Sequence, residues 1–182
     1  AEAEWNGLSP AGRALVEQAN RLGIVLDASH ASDAVFDQLL ELSRAPIVLS
    51  HTSADAVYDH PRNIDDARIR RLAAKGGVIH VNAYGGYLVD IPKVPEREAA
   101  LEALSEKFGP EERLPTSRVA AYLSERRAIE ARYPVKRATF DDYMSHLLHI
   151  IRVAGVDHVG IGADWDGGGG VVGMEDVTAL PR

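Results

Sequence analysis

Short apolar runs alternate with amphipathic stretches along most of this chain, and the change of period marks out its elements. Ser9-Pro10 reads as a helix start, a hydroxyl N-cap followed by proline at the first helical position. Ala14, Leu15, Ala19 and Leu22 make its apolar stripe, and Gly23 its stop. The run "IVLDASH" (24–30) reads as a strand. Ser32 caps a second helix with Val35, Phe36, Leu39, Leu40 and Leu42 inward, ended by Pro46. "IVLSH" (47–51) is the next strand. Asn63 caps a third helix with Ile69, Leu72 and Ala73 inward and Gly76-Gly77 at its end, before the strand "VIHVNAY" (78–84). Thr139 with Asp142 resembles a capping box and opens a helix with Tyr143, Leu147, Ile150 and Ile151 inward. "HVGIGAD" (158–164) is the last strand, and the glycines after it form a flexible loop.

Between about Asp90 and Arg137 charged residues, prolines and alanines dominate. Two polar helices near 95–108 and 117–132 are expected there, as an insertion between core units. The remainder alternates helix and strand, which means a parallel sheet with helical crossovers. The strands are nearly continuously apolar, as strands covered on both faces should be. His30, His51 and Asp164 lie at the C-terminal ends of strands, where a (β/α)8 barrel of the TIM type places its chemistry. Such a barrel has eight strands and typically about 250 residues. The four strand-like runs in these 182 residues therefore read as about the C-terminal half of one barrel domain spanning 1–182. The first half is expected elsewhere in the same protein or on another chain, since four strands alone leave open edges.

Composition narrows the function classes. The chain is 46% hydrophobic and 26% charged, an ordinary globular balance. The formal net charge is −7 and no Lys/Arg block occurs, which argues against a nucleic-acid partner. The absence of cysteine excludes disulfides and thiolate metal sites. No apolar stretch reaches the roughly 18 residues of a membrane span.

Two of the seven histidines follow a serine at the same depth of two strand-like runs. In pleated strands His30 would share a face with Leu26 and Ala28, and His51 with Ile47 and Leu49. Two such imidazoles can meet at one metal ion, although a strand-end histidine is also commonly a hydrogen-bonded structural residue. Asp164 can cap the following loop, or act as a proton shuttle beside a metal-activated water. Arg62, in "YDHPRN", is either solvated surface or a bidentate holder of a substrate carboxylate. Tyr84 and Tyr87 follow the third strand and could line a pocket. His60 is read as structural, His80 as core, and His146 with His149 as an outer helical face. His158 starts a strand, at the end away from chemistry. Asp166 is read as a supporting or loop residue, and "GGGG" (167–170) lacks the lysine and spacing of a phosphate loop.

Five segments resemble the renal (membrane) dipeptidase family of zinc peptidases, the M19 group: "LSPAGRALVEQANRLGIVLDASHAS", "PIVLSHTSA", "HPRNIDD", "GGVIHVNAYGGY" and "AGVDHVGIGADWDG". Their order and spacing fit the C-terminal portion of that family. The resemblance implies a β/α barrel that hydrolyses dipeptides with two zinc ions. By position, His30 and His51 would ligate the second zinc, and Arg62 would bind the substrate carboxylate. Asp164 would carry a proton from the metal-bridging water to the leaving amine, and Tyr87 would line the pocket. The family's first metal also needs a His-x-Asp pair and a bridging glutamate, and no His-x-Asp occurs here. The chain is thus expected to supply part of the site, to bind zinc weakly alone, and to work with its missing N-terminal half. A homo-oligomer remains open, but copies of this segment duplicate the same ligands. The alternatives are another barrel metallohydrolase, such as a lactonase or deaminase, and a non-catalytic partner subunit that keeps the scaffold.

Overall fold

A computed structural model describes residues 5–180. It divides into two compact units. The first runs to Asp90 and resumes at Ala138; the second is Ile91–Arg137.

In the first unit, α1 (Pro10–Leu22) begins where Ser9 accepts a hydrogen bond from the Gly12 amide, and it ends at left-handed Gly23. α2 (Asp33–Leu42) is capped by Ser32 and buries Phe36, Leu39 and Leu40. β1 (Val48–Thr52), α3 (Asp66–Ala74), β2 (Val78–Val81), α6 (Phe140–Ala154) and β3 (Val159–Ile161) complete it. The three strands form one parallel sheet in the order β1-β2-β3. Parallel neighbours need crossover connections, and α3 supplies the one between β1 and β2. Ile47, Leu49, Ile79 and Val81 point from one sheet face into a core shared with Ile69, Leu72, Tyr143 and Ile150. No closed barrel is present among the described residues.

The second unit pairs α4 (Pro95–Phe108) with α5 (Thr116–Arg132) around a small core of Leu104, Phe108 and Tyr122. The Phe108 and Tyr122 rings meet edge to face at 5.6 Å. Arg126 pairs with Glu111, and Lys107 with Glu125.

Several sequence expectations need correction. The run 24–30 is not a strand; it contributes a single bridge, Asp27 to Val48. Two ladder bonds form, Val48 N–H to Leu26 O and Ala28 N–H to Val48 O. The next amide, Ser50 N–H, goes to the Asp27 carboxylate, while Ala28 O accepts from Ala31 N–H and closes a turn. α1 buries Val16 and Ala19, leaving Leu15 62% and Leu22 64% exposed. Its rotation follows Asn20, which bonds Ser43 Oγ and the Arg44 amide beyond α2. Leu42 is exposed at the end of α2. α3 is capped by Asp65, which stands directly before the helix and accepts from Arg68 N–H; Asn63, two residues earlier, donates its side-chain NH2 to the Tyr58 and Tyr87 carbonyls. His80 is half-buried on the sheet face opposite Ile79 and Val81; a Cβ at Gly160 would lie 2.4 Å from its Cδ2. His146 is not on an outer face but is 0% exposed. Its Nδ1 accepts from Ala54 N–H at 3.0 Å and its Nε2 reaches Leu88 O at 3.0 Å. His149, half-buried as well, pairs with Asp66. The Thr139–Asp142 capping box of α6 is present in both directions.

Candidate active site

His30 and His51 reach each other from different structures. His51 sits in β1, and His30 in the turn that ends the preceding bridge. Their Nε2 atoms are 2.7 Å apart and their ring centroids 4.8 Å. At this separation the two imidazole nitrogens share one hydrogen bond and face one small volume. That donor chemistry suits zinc and other first-row metals. Among the described residues no group of three His, Cys, Asp or Glu side chains is placed to hold a metal. The described residues alone therefore do not make up a complete set of metal ligands.

Asp27 organises the histidine-bearing segments. Its Oδ1 accepts from Ser29 N–H, Ser29 Oγ and Ser50 N–H at 3.0, 2.7 and 3.1 Å, and its Oδ2 from Ser50 Oγ. Burial works against this carboxylate, but the bonds from Ser50 and Ser29 outweigh it and hold its pKa below the usual range. Ser29 Oγ in turn accepts His51 N–H at 3.1 Å, and Ser50 Oγ lies 2.8 Å from His51 Nδ1. No catalytic reading of the sequence singled out Asp27, Ser29 or Ser50. The signal was present: a serine precedes both histidines, and an aspartate stands two residues before the first serine.

Arg62 follows β1 in the loop that leads to α3. Its Nη1 donates to the Ser29 carbonyl, one residue from His30, and its guanidinium lies 5.4 Å from the Tyr87 ring centroid. Tyr87 belongs to an aromatic row: Tyr84 is 4.5 Å away on one side and His60 4.7 Å on the other, centroid to centroid. His60 Nδ1 also accepts from Arg62 N–H at 3.1 Å. The loops after β1 and β2 thus meet around Arg62.

Asp164 follows β3. It is the only non-glycine residue with positive φ among the described residues, at φ 58° and ψ 38°. Its carbonyl accepts Gly169 N–H at 2.7 Å, and a Cβ on Gly167 would fall 2.2 Å from its Oδ1. The glycines therefore let the loop fold tightly over this carboxylate. Asp164, Asp166, Ser50 and His51 line one open cavity of about 330 Å³. The structure brings His30, His51 and Arg62 together through Ser29, and His51 and Asp164 together around the cavity. Tyr87 touches Arg62 but is not among the residues lining that cavity.

The model of a family described as membrane dipeptidase (peptidase family M19) matches residues 1–182. An uncharacterized dipeptidase of Schizosaccharomyces pombe is 34% identical over 176 residues, covering 96% of this chain and 32% of that protein. The crystal structure of PvdM, a probable dipeptidase from Pseudomonas aeruginosa, superposes with a TM-score of 0.73 at 32% identity. That match covers 99% of this chain and 48% of the other. A Rhodobacter sphaeroides metallopeptidase, solved with a phosphinate mimic of the dipeptide L-Ala-D-Ala, superposes with a TM-score of 0.67 at 30% identity. It covers 97% of this chain, which spans 39% of that structure. The chain thus spans about a third of the curated relative and under half of these solved structures.

Proposed function

The chain belongs to the membrane dipeptidase family, peptidase family M19, and on that premise we propose that the protein carrying it is a zinc-dependent dipeptidase. The observation that carries the proposal is the convergence of His30 Nε2 and His51 Nε2 at 2.7 Å, next to the cavity that Asp164 lines. A dipeptide substrate is supported by the dipeptide mimic in the Rhodobacter sphaeroides relative. His30 and His51 hold one of two zinc ions. The remaining ligands come from outside these 182 residues, from the rest of a β/α barrel on the same or another chain. A metal held there would supply a Lewis acid for the scissile carbonyl and a water of lowered pKa.

The chain's own residues do the rest. Arg62 binds the terminal carboxylate of the dipeptide, with its guanidinium plane supported by Tyr87. Asp164 accepts the proton of the attacking water on its carboxylate and delivers it to the leaving amine. The left-handed backbone at Asp164 and the glycine at 167 keep that carboxylate over the cavity.

The test is elemental mass spectrometry of the intact protein together with hydrolysis of L-Ala-D-Ala and L-Ala-L-Ala. Bound zinc that falls on His30→Ala or His51→Ala, with hydrolysis lost in parallel, is the expected result. A protein that holds zinc but ignores dipeptides would move the reading to a lactonase or deaminase. For Arg62→Ala, KM should rise at least tenfold for dipeptides; an unchanged KM would remove the carboxylate role.

A further inference from the structure

We infer that Asp27 and Ser50 are positioning residues that fix His51 as its Nδ1–H tautomer, so that a bare Nε2 faces His30. The inference extends the metal reading above, but the proton placement follows from hydrogen-bond bookkeeping alone. An ionised carboxylate only accepts. Asp27 is surrounded by donors from Ser29 and Ser50, two amides and two hydroxyls. The single hydroxyl proton of Ser50 is therefore committed to Asp27 Oδ2. Ser50 Oγ nevertheless lies 2.8 Å from His51 Nδ1. With its own proton spent, Ser50 Oγ can only accept, so Nδ1 carries the proton. A neutral imidazole has one N–H, and His51 Nε2 is left with its lone pair.

The same carboxylate fixes the ring's position as well as its proton. Ser29 Oγ, whose proton also goes to Asp27 Oδ1, accepts the His51 backbone N–H. Ser29 Oγ and Ser50 Oγ stand 3.2 Å apart, one on each oxygen of the carboxylate. One aspartate thus orients the backbone of His51 through one serine and its ring through the other. A carboxylate or carbonyl commonly takes the second N–H of a metal-bound histidine. Here a hydroxyl is interposed, and the carboxylate acts through it. Ser53 Oγ donates to the Asn82 carbonyl, and Asn82 Oδ1 accepts the Tyr84 amide.

The experiment is long-range 1H–15N NMR of the histidine side chains in the metal-free intact protein at pH 8, with zinc affinity measured by competition. The wild type should show His51 protonated at Nδ1. Ser50→Ala should shift it toward the Nε2–H form and weaken zinc binding about 10–100-fold. Ser50→Thr keeps the hydroxyl and should retain both properties. Asp27→Ala, which frees the Ser50 proton, should behave like Ser50→Ala. A wild-type Nε2–H signal would overturn the relay whatever the zinc result. So would a Ser50→Ala protein with wild-type tautomer and affinity. A wild type showing Nδ1–H but no zinc binding would support the relay and sink the metal reading instead.

Discussion

Replacing His146 by glutamine removes an acid sensitivity built into the core. The His146 ring is fully enclosed, accepts the Ala54 N–H and reaches the Leu88 carbonyl with its other nitrogen. The Ala54 amide can only donate and the Leu88 carbonyl only accept, so the folded protein holds the Nε2–H form. Protonation would turn a second donor onto Ala54 N–H. Burial accordingly lowers the His146 pKa; the bond to Leu88 opposes the shift, His149 reinforces it and Asp142 opposes it. A depressed folded pKa means that this contribution to stability is complete above the unfolded value of about 6.5 and is lost as pH falls below it. Between pH 7.5 and 5.5 the loss is at most about 1.4 kcal/mol, because the unfolded imidazole takes up the proton and the folded one resists. Glutamine offers an acceptor and a donor at the end of its side chain without titrating. Urea unfolding followed by circular dichroism at the two pH values measures the difference. The wild type should lose about 1 kcal/mol more than His146→Gln. His146→Phe, which strands both buried partners, should cost about 2–5 kcal/mol at pH 7.5. Equal acid losses in wild type and His146→Gln would refute the reasoning.

Other substitutions probe the loop after β3 and the α6 cap. Asp164→Gly and Asp164→Ala should both abolish dipeptide hydrolysis. The alanine variant should unfold about 0.5–1 kcal/mol more easily, because only glycine tolerates φ 58° without strain, less its larger entropy cost. Equal thermal midpoints would mean that the left-handed backbone stores no strain. Gly167→Ala places a methyl where the Asp164 carboxylate lies; kcat should fall at least tenfold with zinc content intact. Thr139→Ala removes the capping box of α6 and should cost about 1 kcal/mol in chemical denaturation.

How far the sequence was legible depended on the range of the forces involved. Ser9, Ser32 and the Thr139–Asp142 box act over one helical turn, and each caps the helix expected of it. The bounds of α4 and α5 follow from local signals too, proline at the start of the first and a polar run with good helix formers in the second. The matched Ser-His pairs pointed to a meeting of His30 and His51, but the expected pleated strand does not produce it: His30 reaches His51 from a turn after the single Asp27 bridge. The face of α1 was legible only in part: of the expected stripe Ala19 is buried, but Val16 takes the inward place instead of Leu15 and Leu22, a rotation that follows the Asn20–Ser43 bond. His146 looked like half of an exposed pair at helical spacing. Its burial depends on Ala54 and Leu88, far away in sequence. Asn63 looked like a cap, but Asp65 stands closer to the helix and holds Arg68 N–H.

The misread strand at 24–30 also explains how the site is built. A parallel ladder continued past Ala28 would spend Ser50 N–H on the Ala28 carbonyl. Asp27 intercepts that amide, and the freed carbonyl accepts Ala31 N–H instead. The chain then turns at Ser29 and His30 rather than extending. Turning brings His30 Nε2 to His51 Nε2, presents the Ser29 hydroxyl to the His51 backbone, and leaves the Ser29 carbonyl for Arg62. Ending the ladder and assembling the site are thus the same event, and one carboxylate performs both. A side chain that only supported a metal ligand could be replaced with local effect. Asp27→Ala should also release Arg62 from Ser29, so a rise in KM together with the loss of zinc affinity is the signature that separates this architecture from a simple ligand support.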